Sequence, residues 1–246
     1  MSKLSDKIRK VTRLQSLAMG FGSMRNAVEP TMVLAALARD AQAAEEMGRR
    51  GADVVIVEAN GAAPGPGIAK DGAVVGARIA GRTDNEAKSY KDAGYDFVVF
   101  NPDEAAATAL LEENIGYVMA APADLSDTEW RTLEAFQLDA IDIGAIDGAM
   151  TVRRQIDLRR ILGMARKPLM ATVSGDISVA ALQTLRDTNI VVVIAADGAA
   201  VEKLRKTIDA LPPRSRRKDL DDRPLPLVPQ SASVGDGDEP EHDHDE

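Results

Sequence analysis

The sequence predicts an α/β fold: a single compact (β/α)8 TIM barrel with a short N-terminal extension and a disordered acidic C-terminal tail. Three observations carry that reading. From Thr31 onward, apolar runs alternate with helix-like segments in a steady beat, and eight such runs can be counted. The runs are continuously apolar rather than alternating, which marks parallel strands covered by helices. Right-handed strand–helix–strand units repeated that often can close a sheet on itself. An open doubly wound sheet would show the same composition and is the competing architecture. The chain divides into an extension over 1–30, a barrel over 31–213 and a tail over 214–246.

The elements follow in order. "MVLAALA" is the first strand, "RDAQAAEEMGRRG" the helix after it and "ADVVIVEAN" the second strand. The link from Asn60 to Gly72, "NGAAPGPGIAKDG", is rich in Gly and Pro and leaves room for a helical turn at most. "AVVGARIAG", "YDFVVFNP" and "IGYVMAAP" supply strands three to five, with helices expected over "TDNEAKSYKDAG" and "DEAAATALLEEN" between them. "LDAIDIGAI", "KPLMATVSG" and "IVVVIAA" complete the set. Their helices are "SDTEWRTLEAF", "TVRRQIDLRRILGMA", "ISVAALQTLRDT" and "AAVEKLRKTIDALPP".

Local signals agree with these divisions. Ser126 and Glu129 form an S-x-x-E capping box. Asp84, Asp103 and Ser178 stand where a helix N-cap or first turn prefers an oxygen acceptor. Gly51 and Gly94 end helices in the left-handed conformation, and Pro212 with Pro213 stops the last helix.

Two segments lie outside the barrel. A helix is expected near Ser5 to Gln15, either covering the bottom of the barrel or lying across its mouth. Beyond Pro213 the chain is poor in bulky apolar residues and rich in charge, Pro and Ser, so it cannot bury enough surface to order itself.

Composition narrows the function. Hydrophobic residues make up 45% of the chain but aromatics only 3%, so the core is built of Ala, Val, Ile and Leu, without platforms for stacking bases. The net charge is −9, yet seven of the 39 acids fall in residues 231–246. The remainder, 30 basic against 32 acidic residues, is nearly balanced, which disfavours nucleic acid as a partner. With no cysteine there is neither a disulfide framework nor a thiolate metal site. No signal peptide or membrane span is apparent, so a soluble cytoplasmic protein is expected, and homo-oligomerisation stays open.

In such a barrel the site forms at the C-terminal ends of the strands. The polar residues there are Arg39 and Asp40, Glu58 and Asn60, Arg82 to Asp84, Asn101 and Asp103, Asp124, Asp147, Ser174 and Asp176, and Asp197. Alternation along the strands sharpens the choice. If Ile141 and Ile143 face the helices, Asp142 points into the barrel; if Val75, Ala77 and Ile79 pack outward, Arg78 points inward. Thr172 and Ser174 turn inward by the same logic. A charge inside a barrel is costly unless paired, so Arg78 with Glu58 or Asp142 is the most informative constellation. Either Arg78 holds an anionic substrate while Glu58 or Asp142 moves a proton, or the three form a structural salt bridge. Asn101, Thr172, Ser174 and Gly175 complete the expected substrate-binding set.

Several chemistries are disfavoured. No Lys ends a strand, which argues against a Schiff-base aldolase, and both histidines, His242 and His244, lie in the tail. No cofactor is expected, although Glu58, Asp142 and Asp147 would offer Mg²⁺ the oxygen ligands it prefers.

The stretch "SGDISVAALQTLRDTNIVVVIAA" resembles the seventh strand, loop and helix of ribulose-phosphate-binding barrels. The resemblance implies phosphate held by Ser174, Gly175 and the N–H groups that open a helix. The sequence departs from that pattern at Asp176 and at "AADG" after strand eight, where Asp197 adds a second carboxylate. The expected function is therefore a lyase or isomerase acting on a small anionic metabolite, with a non-catalytic barrel scaffold or interaction module as the alternative.

Overall fold

In the computed structural model, residues 2–16, 31–59, 72–83, 85–122 and 124–212 are described. The Gly- and Pro-rich link over 60–71, with Asn60, lies outside them, as do Asp84, the linker over 17–30, Pro213 and the acidic tail with its two histidines.

Eight parallel strands close into a barrel in chain order: β1 (Val33–Ala38), β2 (Val54–Glu58), β3 (Val74–Ile79), β4 (Phe97–Phe100), β5 (Gly116–Ala120), β6 (Ala140–Ala145), β7 (Leu169–Thr172) and β8 (Ile190–Ala195). Pairing of β1 with β8, Val33 beside Val192 and Ala36 beside Ala195, closes the ring and removes the open-sheet alternative. Among the described residues the α-helices are α1 (Lys3–Ser16), α2 (Ala41–Arg49), α3 (Glu86–Asp92), α4 (Asp127–Thr132), α5 (Val152–Ala165), α6 (Val179–Asp187) and α7 (Gly198–Asp209).

Several caps follow the sequence signals, whereas Asp103 opens no helix and α3 is preceded by Asn85 without a side-chain cap bond. Ser126 and Glu129 make the reciprocal capping box, and Ser178 accepts from the Ala181 N–H at the start of α6. After α2 and α3, Gly51 and Gly94 take φ of +102° and +93°. The N–H groups of Ala52 and Tyr95 then reach back to the carbonyls of Met47 and Tyr90, which satisfies the last turn.

One expected helix is replaced. Over 103–114 only a short 3-10 turn forms, at Ala107–Leu111, despite a composition that favours α-helix. Tertiary hydrogen bonds win: the Asn101 side chain accepts from the Asp103 N–H at 3.1 Å, and the Ala106 N–H donates to the Gly81 carbonyl at 2.8 Å. The Tyr117 hydroxyl lies 3.1 and 3.0 Å from the carbonyls of Ala109 and Glu112, groups a continuing helix would use internally.

Alternate residues of each strand sort into two cores. Outward-facing Val55, Val75, Ala77, Ile79, Val98 and Ile141 pack under the helices, while Val33, Ala35, Val54, Ile56, Phe97, Val99 and Met170 fill the barrel. Phe97 is the large group at its centre, and its two hydrogen-bonded neighbours in register are Gly76 and Gly116. A Cβ on Gly76 would overlap the Phe97 ring, and one on Gly116 would lie 2.9 Å from the Phe97 Cβ and 2.7 Å from that of Ser2. An aromatic-poor core thus accommodates one ring by giving up the side chains on either side of it.

The N-terminal helix closes the bottom of the barrel. Leu4, Ile8 and Val11, spaced along one face of α1, are buried among the interior residues. The backbone N–H groups of Lys3 and Leu4 donate to the Asp96 carboxylate at 2.9 and 3.0 Å, and the Ser2 hydroxyl donates to Asp139 at 2.5 Å. Both acids stand immediately before a strand, at the end opposite the mouth. Carboxylates facing the N-terminus of α1 meet its unpaired donors and the positive end of its dipole. Asp53, just before β2, is engaged elsewhere, accepting from the Leu34 N–H of β1 at 2.9 Å and from Arg205 of α7 at 3.2 Å. Among the described residues, no helix is long and apolar enough to cross a membrane.

Candidate functional site

At the C-terminal ends of β2 to β5 the barrel opens into a cleft of about 640 Å³. Glu58, Arg78, Arg82, Asn101, Asp103 and Glu104 are its polar lining, and Phe100, Ala120, Ala121 and Pro122 are among its apolar lining.

Arg78 is the central group. Its place follows from the period of two along β3, where Val74 and Gly76 face inward beneath it and Val75, Ala77 and Ile79 face the helices. Its Nη2 donates to Asp142 Oδ2 at 3.1 Å, and its Nε stands 3.5 Å from Glu58 Oε1. Glu58 is the register partner of Arg78 on the neighbouring strand, whereas Asp142 reaches it from β6 across the mouth. Sequence alternation expects both inward-facing charges, and the structure brings all three into one cluster.

The two carboxylates are not equivalent. Asp142 is 4% exposed, and its second oxygen accepts from the Gly144 N–H at 2.9 Å. Gly144 takes φ of +74°, and the β6–β7 register shifts between Asp142 and Ala145. This bulge turns a backbone donor back onto the acid, a role that sequence reading missed. The only hint was a glycine two residues after the aspartate. Glu58 is 32% exposed and, among the described residues, accepts no hydrogen bond. Arg78 Nε is buried without a hydrogen-bond partner, since the Glu58 oxygen lies beyond a well-formed contact. Nη1 likewise has no partner among the described residues.

The remaining expected residues lie at varying distances from this cluster. Asn101 lines the same cleft, its amide 3.4 Å from Glu104. Glu104 in turn lies 3.7 Å from Arg82, an acid that the sequence did not single out. Thr172 is half-buried at the top of β7. Ser174 and Gly175 belong to the loop after β7 and are not among the residues lining the described cleft. The Ser174 hydroxyl accepts from the Asp176 N–H at 3.3 Å, and a Cβ on Gly175 would lie 2.9 Å from the Ala200 backbone. Gly175 thereby lets this loop pack against the start of α7.

The segment that resembles a phosphate cup is occupied by its own acids. Asp176 pairs with Lys203 at 2.7 Å, and that hydrogen bond and charge push the Lys203 ammonium above its ordinary range. Asp197 caps α7, accepting from the Ala200 N–H at 2.8 Å. The donors that phosphate would use at that helix end are already engaged in part by a carboxylate.

Among the described residues, no group of three potential ligands gathers as a metal site. Both oxygens of Asp142 are committed to Arg78 and Gly144, and exposed Asp147 offers its carbonyl to Arg154.

No protein-family model matches the sequence, and no curated protein sequence matches it. Solved structures do match in shape. The tryptophan synthase α-subunit of Legionella pneumophila superposes with a TM-score of 0.58 at 12% identity, covering 85% of this chain and 99% of that one. The 3-keto-L-gulonate-6-phosphate decarboxylase of Vibrio cholerae gives 0.54 at 12% identity, covering 74% and 99%. A protein described as QR15, an aldolase, gives 0.51 at 15% identity, covering 74% and 97%. These likenesses define the class: the chain has the fold of the aldolase-type TIM barrels. At such identities they carry the fold and nothing finer.

Proposed function

We propose that the barrel mouth binds a small anionic metabolite on Arg78 and acts on it by proton transfer, as a lyase or isomerase. The observation that carries the reading is a guanidinium fixed on one side by buried Asp142 and loosely by Glu58 on the other, with Nη1 free of any hydrogen-bond partner among the described residues, beside an open cleft. A planar cation held in one orientation is suited to a carboxylate or phosphate oxygen. Glu58, partly exposed and adjacent, is the group that moves the proton, while Asp142 positions Arg78. Asn101 on the cleft wall, and Thr172, Ser174 and Gly175 on the β7 side, complete the proposed substrate-binding set. The reaction is read as needing no cofactor, with Mg²⁺ as the alternative that the screen below includes, and the protein as working in the cytoplasm without nucleic acid or membrane, whether alone or as a homo-oligomer.

The competing reading is a barrel without catalysis, serving as a scaffold. It is favoured by the neutralisation of Arg78 by two carboxylates within the protein. A thermal-shift screen with inorganic phosphate, sugar phosphates, small carboxylates, Mg²⁺ and flavin mononucleotide separates the two. The proposal expects an upward shift with at least one anion that disappears in Arg78→Ala while the circular dichroism of the fold is kept. No shift with any of them would leave the scaffold reading in possession.

A further inference from the structure

Three charges meet at the mouth: one positive on Arg78, and two negative on Glu58 at 3.5 Å and Asp142 at 3.1 Å. The rest of the cleft does not reverse the balance, since Asp103 and Glu104 stand against Arg82. From the β1 side, Asp40 is held by the Ala43 N–H at the start of α2, and Arg39 is exposed without lining the cleft. From β7, the group at the mouth is neutral Thr172.

An anion set on Arg78 therefore meets a surplus of negative charge. Closely spaced like charges in partly buried surroundings are relieved when one of them takes a proton. Asp142 is ill suited to do so, because it is nearly buried and each of its oxygens accepts from a fixed donor. Glu58 is one-third exposed and accepts no hydrogen bond among the described residues, its tie to Arg78 being the looser 3.5 Å contact.

Resting on the anion reading above, we infer that an anionic ligand enters this site together with one proton, which Glu58 takes up. The proton passes from solvent to a Glu58 oxygen, and the carboxylate becomes a neutral acid with an O–H to donate. The opposing charge is removed and a hydrogen-bond donor stands beside the bound anion. The same proton is the one a general acid would deliver to a leaving group or a carbanion.

The test is calorimetric titration of the full chain with pyruvate and with sulfate at about pH 8, in two buffers of different protonation enthalpy. Both anions stay ionised from about pH 5 upward, so any proton taken up is bound by the protein. The heats in the two buffers are expected to differ by the equivalent of about one proton per anion. Affinity is expected to fall about tenfold per pH unit on the alkaline side. Glu58→Gln is expected to bind the anions more tightly than the unaltered chain at that pH, by a factor that shrinks about tenfold for each unit the pH is lowered, with equal heats in both buffers; Glu58→Ala serves if that variant fails to fold. Equal heats with the unaltered chain, or a proton uptake that survives in Glu58→Gln, would overturn the inference and leave the anion reading standing. Failure of both anions to bind at any pH overturns the two together.

Discussion

Arg78 Nη2 and Asp142 Oδ2 stand 3.1 Å apart although their strands, β3 and β6, are not neighbours in the barrel. The pair spans the mouth, and its Arg78 end lines the cleft. Asp142, with 4% exposure, depends on Arg78 for its charge partner far more than Arg78, at 36%, depends on it.

Removing one partner should therefore cost more than removing both. Arg78→Ala leaves a nearly buried carboxylate without its cation, and the loss is expected to be about 3 kcal/mol, the lower part of the range for broken buried pairs. Arg78→Met with Asp142→Leu should recover most of it. Urea unfolding of the single and double variants checks this, and a double variant no better than the single would mean that the pair is not a stability unit.

The Phe97 ring and the glycines beside it make a second expectation. Gly76→Ala forces a Cβ into the ring and is expected to cost about 3 kcal/mol. Phe97→Leu, destabilising alone through lost volume, should partly relieve Gly76→Ala when the two are combined. A non-additive double-mutant cycle in thermal unfolding is the readout.

The base of the barrel carries a pH signature. Burial pushes the Asp139 carboxyl above its usual range, while the Ser2 hydroxyl, donating to it, draws it back in part. A carboxyl that is more basic folded than unfolded binds more protons in the native state. Its contribution thus grows as pH falls from neutrality through the raised native value, and is complete below the ordinary carboxyl range near ~3.9. Asp139→Asn should remove that part of the pH dependence, while Ser2→Ala should shift it to higher pH. Urea unfolding between about pH 4 and 7 compares the three chains.

The capping box of α4 has the opposite sign. Hydrogen bonds from Ser126 hold the Glu129 carboxyl below its usual range, so its contribution is present at neutral pH and is lost as pH falls through that lowered value. Ser126→Ala is expected to cost about 1 kcal/mol at neutral pH. It should also flatten this acid-side loss, as followed by thermal unfolding at several pH values.

The order and number of the strands, their parallel arrangement and most helix ends were legible in the sequence. Continuous apolar runs, cap residues and glycines before strands are local consequences of backbone hydrogen bonding and burial. The inward direction of Arg78 and Asp142 was legible for the same reason, since the strand period of two is a local property. Tertiary structure alone decided the rest. Closure through β1 and β8 joins segments far apart in the chain, which composition cannot distinguish from an open sheet. The seat of α1 at the bottom depends on Asp96 and Asp139, which lie 92 and 137 residues along the chain from the groups they accept from. The turn at Ala107–Leu111 stays short of a helix because Asn101, Gly81 and Tyr117 claim its backbone groups. Likewise, the difference between Glu58 and Asp142 comes from burial and from the Gly144 bulge, neither of which exists until the barrel closes.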